Sequence, residues 1–495
     1  MEMASTHRTG GWVLTLTTVT AAAALFLPLR DRPAAEPLSE WLMPGSLSPL
    51  MAMVLAAAGF WVLRRRFWPR TPHEARRLRS GAILVVIQAV FVRLAVELGH
   101  EAEKLALPWW PLDAWLWIPW FLSTGLAVML LGSRLGVLLS VTGVFLIYLR
   151  ADPGPFAIVG CLVSSLAGIV LLRRSTRFRV LRAGATAGFL LAVIAIGHGI
   201  QAASPAIAIG AAAVVPILMG VISAFAVLAV LPVMEWVLGE LSDVTLVEYG
   251  SDHPLLDELR EHAPGTWHHT LNVADLAEKA AAAIGARALF CRTASLYHDI
   301  GKLKAPAIFA ENITGPSPHE EMDPQVSAER IIEHVTYGLE LARKHRLPKP
   351  FREIIAEHHG ASTLRYFYDK ACAQLPEGQN PAALRALFRY PGPRPSSRES
   401  GIIALADIVE AASRSFQPKD EIEARAFVRQ LIADRVTEGE LADCPLTLAE
   451  LAQAETTFVA WVKARNHQRP AYPKAKPSTA TETEWTKNQR EAQPA

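Results

Sequence analysis

At 495 residues the chain is long enough for two or three domains, and with 51% hydrophobic residues and a mean hydropathy of +0.22 it is not a uniformly soluble protein. The apolar excess lies between residues 11 and about 239, so a membrane half is joined to a half of ordinary globular polarity. A net charge of +2 argues against a nucleic-acid polymer as partner, and the four cysteines show no CxxC pairing, which excludes a disulfide framework and fits a reduced compartment.

In chain order, a short polar start precedes an apolar run from Trp12 to Pro28. It reads as a retained anchor rather than a signal peptide, because no small-x-small cleavage site precedes Arg30 and more apolar runs follow. Those runs lie at about 48–63, 81–99, 112–132, 135–149, 155–172, 183–200 and 212–238. Each is near the ~20 residues that cross a bilayer, so eight spans are expected. Arginine clusters at 64–79 and 173–182 place both of those loops, and with them both termini, in the cytoplasm. Arg93 and Glu97, four apart on one face of the third span, satisfy each other as a local pair. The stretch from Pro205 to Gly239 contains Pro216 and Pro232 and is expected to be re-entrant in part or kinked.

Residues 240–262 form a connector with a helical piece from Leu255 to Arg260, in which His253 and His262 read as surface or capping residues. Helical periodicity then dominates. Pro264-Gly265-Thr266 opens a helix to about Ile284, with Leu271, Ala274, Ala277 and Ala281 on one face. A helix over 288–297 delivers His298-Asp299, with Gly301 letting it end and Lys302 projecting a cation beside the pair. Asp323-Pro324 caps a helix carrying His334. Residues 351–359 end in His358-His359, and Ser396-Ser397 caps a helix carrying Asp407. Two further helices are expected at 421–436 and 447–465, then a disordered tail over 466–495. The fold class is therefore all-α: a polytopic membrane bundle (1–239), the connector (240–262), a soluble helical domain (263–465) and the tail.

A lone histidine beside a helix stripe is most often a packed or surface residue, and His268, His319 and His345 are read that way. Histidines beside aspartates at helix ends within one domain point instead to metal. Imidazole and carboxylate suit iron, manganese or zinc, and two such ions sharing a carboxylate can clamp a phosphodiester displacement.

The order His269, His298-Asp299, His334, His358-His359, Asp407 resembles an HD-domain phosphohydrolase. More narrowly, the chain is similar to the seven-transmembrane HD family of bacterial cyclic di-AMP phosphodiesterases. The resemblance rests on His253-Pro254-Leu255-Leu256, Ala263 to His269, Tyr297 to Lys302, Phe388-Arg389-Tyr390-Pro391-Gly392-Pro393 and Ala406 to Ser415. It implies two divalent ions, iron or manganese, with His269, His298 and Asp407 on one and His334, His358 and His359 on the other. Asp299 would bridge them, and Lys302 would steady the charge as water between the ions attacks phosphorus. Cyclic di-AMP would be hydrolysed to linear pApA in second-messenger turnover. The expected partners are the cyclic dinucleotide and the lipid bilayer of the bacterial cell membrane; the sequence is compatible with a homodimer but does not fix the oligomeric state. Arg389 and Tyr390 are the candidate substrate contacts, with Tyr366 and Tyr368 available to stack on a purine.

The chain departs from that family in having only about twenty residues, Leu29 to Leu47, where a large extracellular domain usually sits. After His358-His359 comes Gly360-Ala361-Ser362, without the GYP motif of cyclic di-GMP enzymes, which favours the adenine dinucleotide. The alternatives are an HD enzyme acting on cyclic di-GMP or an alarmone, and a non-catalytic nucleotide receptor.

Overall fold

The computed structural model describes residues 119–133, 154–172, 176–376 and 380–465, with scattered positions between 80 and 144. Among these residues every regular element is a helix, and the sole strand-like pairing is an isolated bridge between Thr363 and Arg389. The membrane half contributes α1 (Trp120–Leu131), α2 (Gly154–Leu171), α3 (Arg177–Gln201) and α4 (Ala206–Leu238). Only α3 and α4 are long and apolar enough to cross a bilayer among the described residues; α1 and the apolar part of α2 are shorter. The expected spans at 12–28 and 48–63, and the Arg93–Glu97 pair, lie outside the described residues. The spans at 81–99 and 135–149 are described only at scattered positions.

Helices α3 and α4 pack through glycine. A Cβ on Gly184 would strike the carbonyl of Gly220, and one on Gly188 the carbonyl of Pro216, so only glycine permits this approach. Lipid tails are as apolar as leucine, so close van der Waals packing of small residues is what holds such helices together. The stretch after Pro205 is one continuous helix of 33 residues with Pro216 and Pro232 inside it, not a re-entrant segment. At 1.5 Å per residue it runs about 50 Å, well beyond the ~30 Å hydrocarbon core, so its C-terminal end projects toward the soluble half. Gly239 stops it in the left-handed conformation, φ 66°.

The chain then folds back on that end. Glu235 accepts hydrogen bonds from Ser242 N at 2.7 Å and Thr245 Oγ1 at 2.8 Å, seating α5 (Asp243–Ser251) against the end of α4. Arg177, at the start of α3, pairs with Glu248 of α5. Next, α6 (Pro254–His262) is capped by His253, whose ring accepts from Leu255 N. The capping expected of His253 is thus met.

The soluble half is built from α7 (Pro264–Ala283), α8 (Ala288–Ser295), α9 (Pro324–Lys344), α10 (Lys349–Glu357), α11 (Arg365–Cys372), α12 (Arg398–Ala412), α13 (Glu421–Thr437) and α14 (Leu448–Arg465). Its core joins Val273, Ala277 and Ala280 of α7 to Ile402, Ala406 and Val409 of α12 and to Phe458 and Val462 of α14. Leu271, expected on the inward face, is 36% exposed at its edge, while Val273 and Ala280 complete the buried stripe. Ser397 caps α12 through a reciprocal bond with Ser400, and Asp323 caps α9. The tail over 466–495 lies outside the described residues.

Candidate metal centre

His269 comes from the first turns of α7, His334 from the middle of α9, His358-His359 from the end of α10 and Asp407 from the middle of α12. The His298-Asp299 pair lies in the turn after α8, leading into a 3-10 segment over Ile300–Lys304. Gly301 is placed for a different reason than ending the helix, which has already stopped at Ser295. A Cβ there would collide with the carbonyl of His334, so glycine lets the His-Asp turn lie directly on α9.

These elements converge on Asp299. Its Oδ2 lies 3.3 Å from His269 Nε2 and 3.2 Å from His298 Nε2. Its Oδ1 lies 3.4 Å from His334 Nε2 and 3.6 Å from His358 Nε2. Each carboxylate oxygen therefore faces a separate pair of imidazoles. Asp407 stands 3.0 Å from His269 and 3.7 Å from His298 through Oδ1, and 3.5 Å from His359 Nδ1 through Oδ2. Two groups of ligand atoms lie within 4.8 Å of one another: His269, His298 and Asp299, and Asp299, His334, His358 and His359.

The donor set fits metal ions. Asp299 Oδ1 and His298 Nε2 are buried with no hydrogen-bond partner, an arrangement that costs free energy unless another group occupies the space they face. Three rings are held in the same way: Nδ1 of His298, His334 and His358 bonds the backbone carbonyl three residues earlier, at 2.6, 2.6 and 2.9 Å. That fixes the tautomer and leaves Nε2 toward the centre.

The two halves differ electrostatically. Burial drives His334 down to about 3 against the pull of Asp299, and burial with the neighbouring His358 holds His359 well below the imidazole range. For His298, burial opposes the charge but Asp299 outweighs it, lifting the ring to about 9. His269 is likewise raised, since Asp299, Asp407 and Glu410 overcome its burial. Asp299 stays ionised despite burial because His298 and Lys302 hold it well below the carboxylate range.

Lys302 is not a free projecting cation. Its Nζ sits 2.8 Å from Asp299 Oδ2 and 2.7 Å from Glu311 Oε1, and these two carboxylates raise its pKa against the effect of burial. Glu311 is held in turn by Thr266 Oγ1 at 3.1 Å, beside Gly265, where a Cβ would meet the Glu311 carbonyl. Glu311 and Glu410 escaped the sequence reading because their roles depend on partners 9 and 141 residues away. The spacing Asp407, Glu410, Arg414 on one helical face was the available signal.

Tyr390 lies over His359, ring centroids 4.3 Å apart, and meets His334 nearly perpendicularly at 6.1 Å. Arg389 is turned elsewhere: Nε donates to the Ala361 carbonyl at 2.8 Å and the guanidinium faces Glu440. Tyr366 is 67% exposed on α11, and Tyr368 donates to the Pro381 carbonyl. His268 is exposed, whereas His319 is buried and bonds the Ile308 carbonyl.

A helical domain whose His-Asp turn, four further histidines and a second aspartate converge in this way has the build of an HD hydrolase, and residues 266–412 match the HD domain family. Residues 45–242 match the family described as a 7TM receptor with intracellular HD hydrolase, and seven of the eight expected spans fall inside that match. Together the two matches give the chain the layout of a membrane portion followed by an HD domain. It is 36% identical over 323 residues to the cyclic-di-AMP phosphodiesterase PgpH of Bacillus subtilis, covering 63% of this chain and 44% of that protein. To the protein of the same name from Listeria monocytogenes it is 37% identical over 246 residues, 49% of this chain and 34% of that one. The crystal structure of the L. monocytogenes PgpH HD domain in complex with cyclic-di-AMP is 37% identical, with TM-score 0.41, covering 44% of this chain and all of that one. The chain thus spans less than half the length of the curated relatives it matches.

Proposed function

We propose that this protein is a membrane-anchored, metal-dependent phosphodiesterase that hydrolyses cyclic di-AMP to pApA. The observation that carries the reading is the division of Asp299, one oxygen toward His269 and His298 and the other toward His334 and His358. His269, His298 and Asp407 would hold one ion, His334, His358 and His359 the other, and Asp299 would touch both; iron and manganese suit this ligand chemistry. Bound divalent ions supply an activated water at neutral pH and neutralise charge on the phosphodiester.

The chain's own groups do the rest. Lys302 keeps Asp299 ionised and oriented, and Tyr390 forms a wall over His359 against which a base can rest. The substrate assignment is supported by the activity named for the two PgpH relatives and by the absence of a GYP motif after His359. We set the domain limits at 239, 262 and 465; the ends of α4 at Leu238 and of α6 at His262 support the first two. The soluble domain and both termini face the cytoplasm in this reading, since the nucleotide is inside the cell. The test is the full chain in nanodiscs, loaded with manganese and given cyclic di-AMP, cyclic di-GMP and an alarmone in parallel. Conversion of cyclic di-AMP to pApA is expected; binding without turnover would make the protein a receptor. Reporter fusions after residues 75, 178 and 245 should all read cytoplasmic, and a periplasmic signal at 245 would defeat the mechanism.

A further inference from the structure

His269 is held differently from the three rings whose Nδ1 bonds a backbone carbonyl. Its Nδ1 lies 2.5 Å from Glu410 Oε2, a side chain contributed by α12 one turn beyond Asp407. Its Nε2 then faces Asp407 at 3.0 Å and Asp299 at 3.3 Å. Glu410 is buried and extensively tied: Arg414 donates Nε and Nη2 to Oε2 at 3.1 and 2.8 Å, and Arg465 and Asn272 donate to Oε1 at 3.1 and 3.2 Å. An ionised carboxylate offers no proton, so the hydrogen between it and His269 belongs to Nδ1.

We propose that Glu410 is a positioning residue of the metal centre, fixing His269 with Nε2 inward and lending it the basicity of a carboxylate partner that His298, His334 and His358 lack. The inference rests on the metal reading above. It makes the two halves of the centre unequal, because the backbone carbonyls behind His298, His334 and His358 carry no such charge. It also gives α14 a part in the centre, since Arg465, the last described residue of that helix, holds Glu410 and also donates to Ser413 Oγ at 3.2 Å.

The experiment uses the full chain in nanodiscs, loaded with manganese and equilibrated against graded chelator, with retained metal measured by elemental analysis. Wild type, Glu410→Gln and Glu410→Ala are compared, with circular dichroism on each. Loss of an outer carboxylate behind a ligating histidine weakens metal binding about 10- to 100-fold. Glu410→Ala should lose one ion at chelator levels where wild type keeps both, and added manganese should restore turnover with KM unchanged. Glu410→Gln, which can still accept from Nδ1 but carries no charge, should fall between. A wild-type chain that holds two ions beside a Glu410→Ala chain that holds both equally well overturns the proposal alone. A wild-type chain that binds no metal overturns the metal reading and the proposal with it. If both variants lose helix content and both ions together, Glu410 is a packing residue and the proposal fails.

Discussion

Tyr297 donates its phenolic hydrogen bond to the backbone carbonyl of Tyr249 at 2.6 Å, joining the residue just before the His298-Asp299 pair to the connector helix α5. The same ring stacks on Phe351 of α10, centroids 5.2 Å apart, and Tyr249 meets Phe351 edge-on. Helix α10 leads into His358-His359, so one aromatic cluster links the connector to the segments that carry His298-Asp299 and His358-His359. Because Glu235 and Arg177 seat α5 against the membrane helices, this cluster continues a chain of contacts from those helices to the metal centre.

Removing only the hydroxyl isolates that link. Tyr297→Phe keeps the stacking and should cost about 0.5–1.5 kcal/mol of stability in the soluble half, while Tyr297→Ala empties a buried ring site and should cost about 3–5 kcal/mol. Chemical denaturation of the full chain measures both. Equal losses for the two variants would show that packing carries none of the effect.

At the centre itself, Asp299→Ala removes the carboxylate whose two oxygens face both imidazole pairs. Bound metal and phosphodiesterase activity should both be lost, with the helical circular dichroism retained. His268→Ala, one position from His269 but exposed, should leave both near wild type. Strong loss of metal in the His268 variant would mean that the wrong member of the pair had been assigned.

Proton release should separate the two halves. Burial keeps His334 neutral down to about pH 3, so its half takes up an ion without losing a proton from that ring near neutrality. His298, where Asp299 outweighs burial, titrates at about 9 and so carries a proton at pH 7 that an incoming ion must displace. Affinity for the His269/His298 half should therefore rise with pH from 7 toward 9, and the other half should change little. Calorimetry in buffers of different ionisation enthalpy counts the protons; identical release for both ions would refute the asymmetry.

How far the sequence alone reached follows from the range of the interactions. Helix ends set by local chemistry were readable: Asp323 and Ser397 cap the helices they precede, and His253 caps its own. The His and Asp ligand candidates were readable because each sits at a helix end or beside an apolar stripe. Leu271 was misplaced because several faces of an alanine-rich helix look alike until its neighbours are known. Helix α5 was missed because its hold depends on Glu235 and Arg177 in the membrane half. Lys302 looked free until Glu311 was seen to grip it, and nothing local in Arg389 foretold its turn toward Ala361.

On the proposed function, substrate choice would rest on groups outside the ligand set, since metal ions there would handle only the phosphodiester. Of the aromatic and basic candidates, Tyr390 alone has a described ring contact with two histidines of the centre, His359 and His334. Burial raises its phenol further above the ordinary tyrosine range, so the ring stays neutral throughout the pH range of an assay. Cyclic di-AMP should be preferred over cyclic di-GMP by at least about tenfold in kcat/KM, corresponding to roughly 1.4 kcal/mol of differential transition-state binding. Tyr390→Ala should reduce kcat/KM for cyclic di-AMP by about 10- to 100-fold, roughly the 1–3 kcal/mol that stacking one base is worth. Arg389→Ala should act more weakly, because its guanidinium is already engaged by Ala361 and faces Glu440. Steady-state kinetics on both dinucleotides with the same manganese-loaded chain decide the matter: equal rates, or a preference for the guanine form, would assign the site to a different nucleotide.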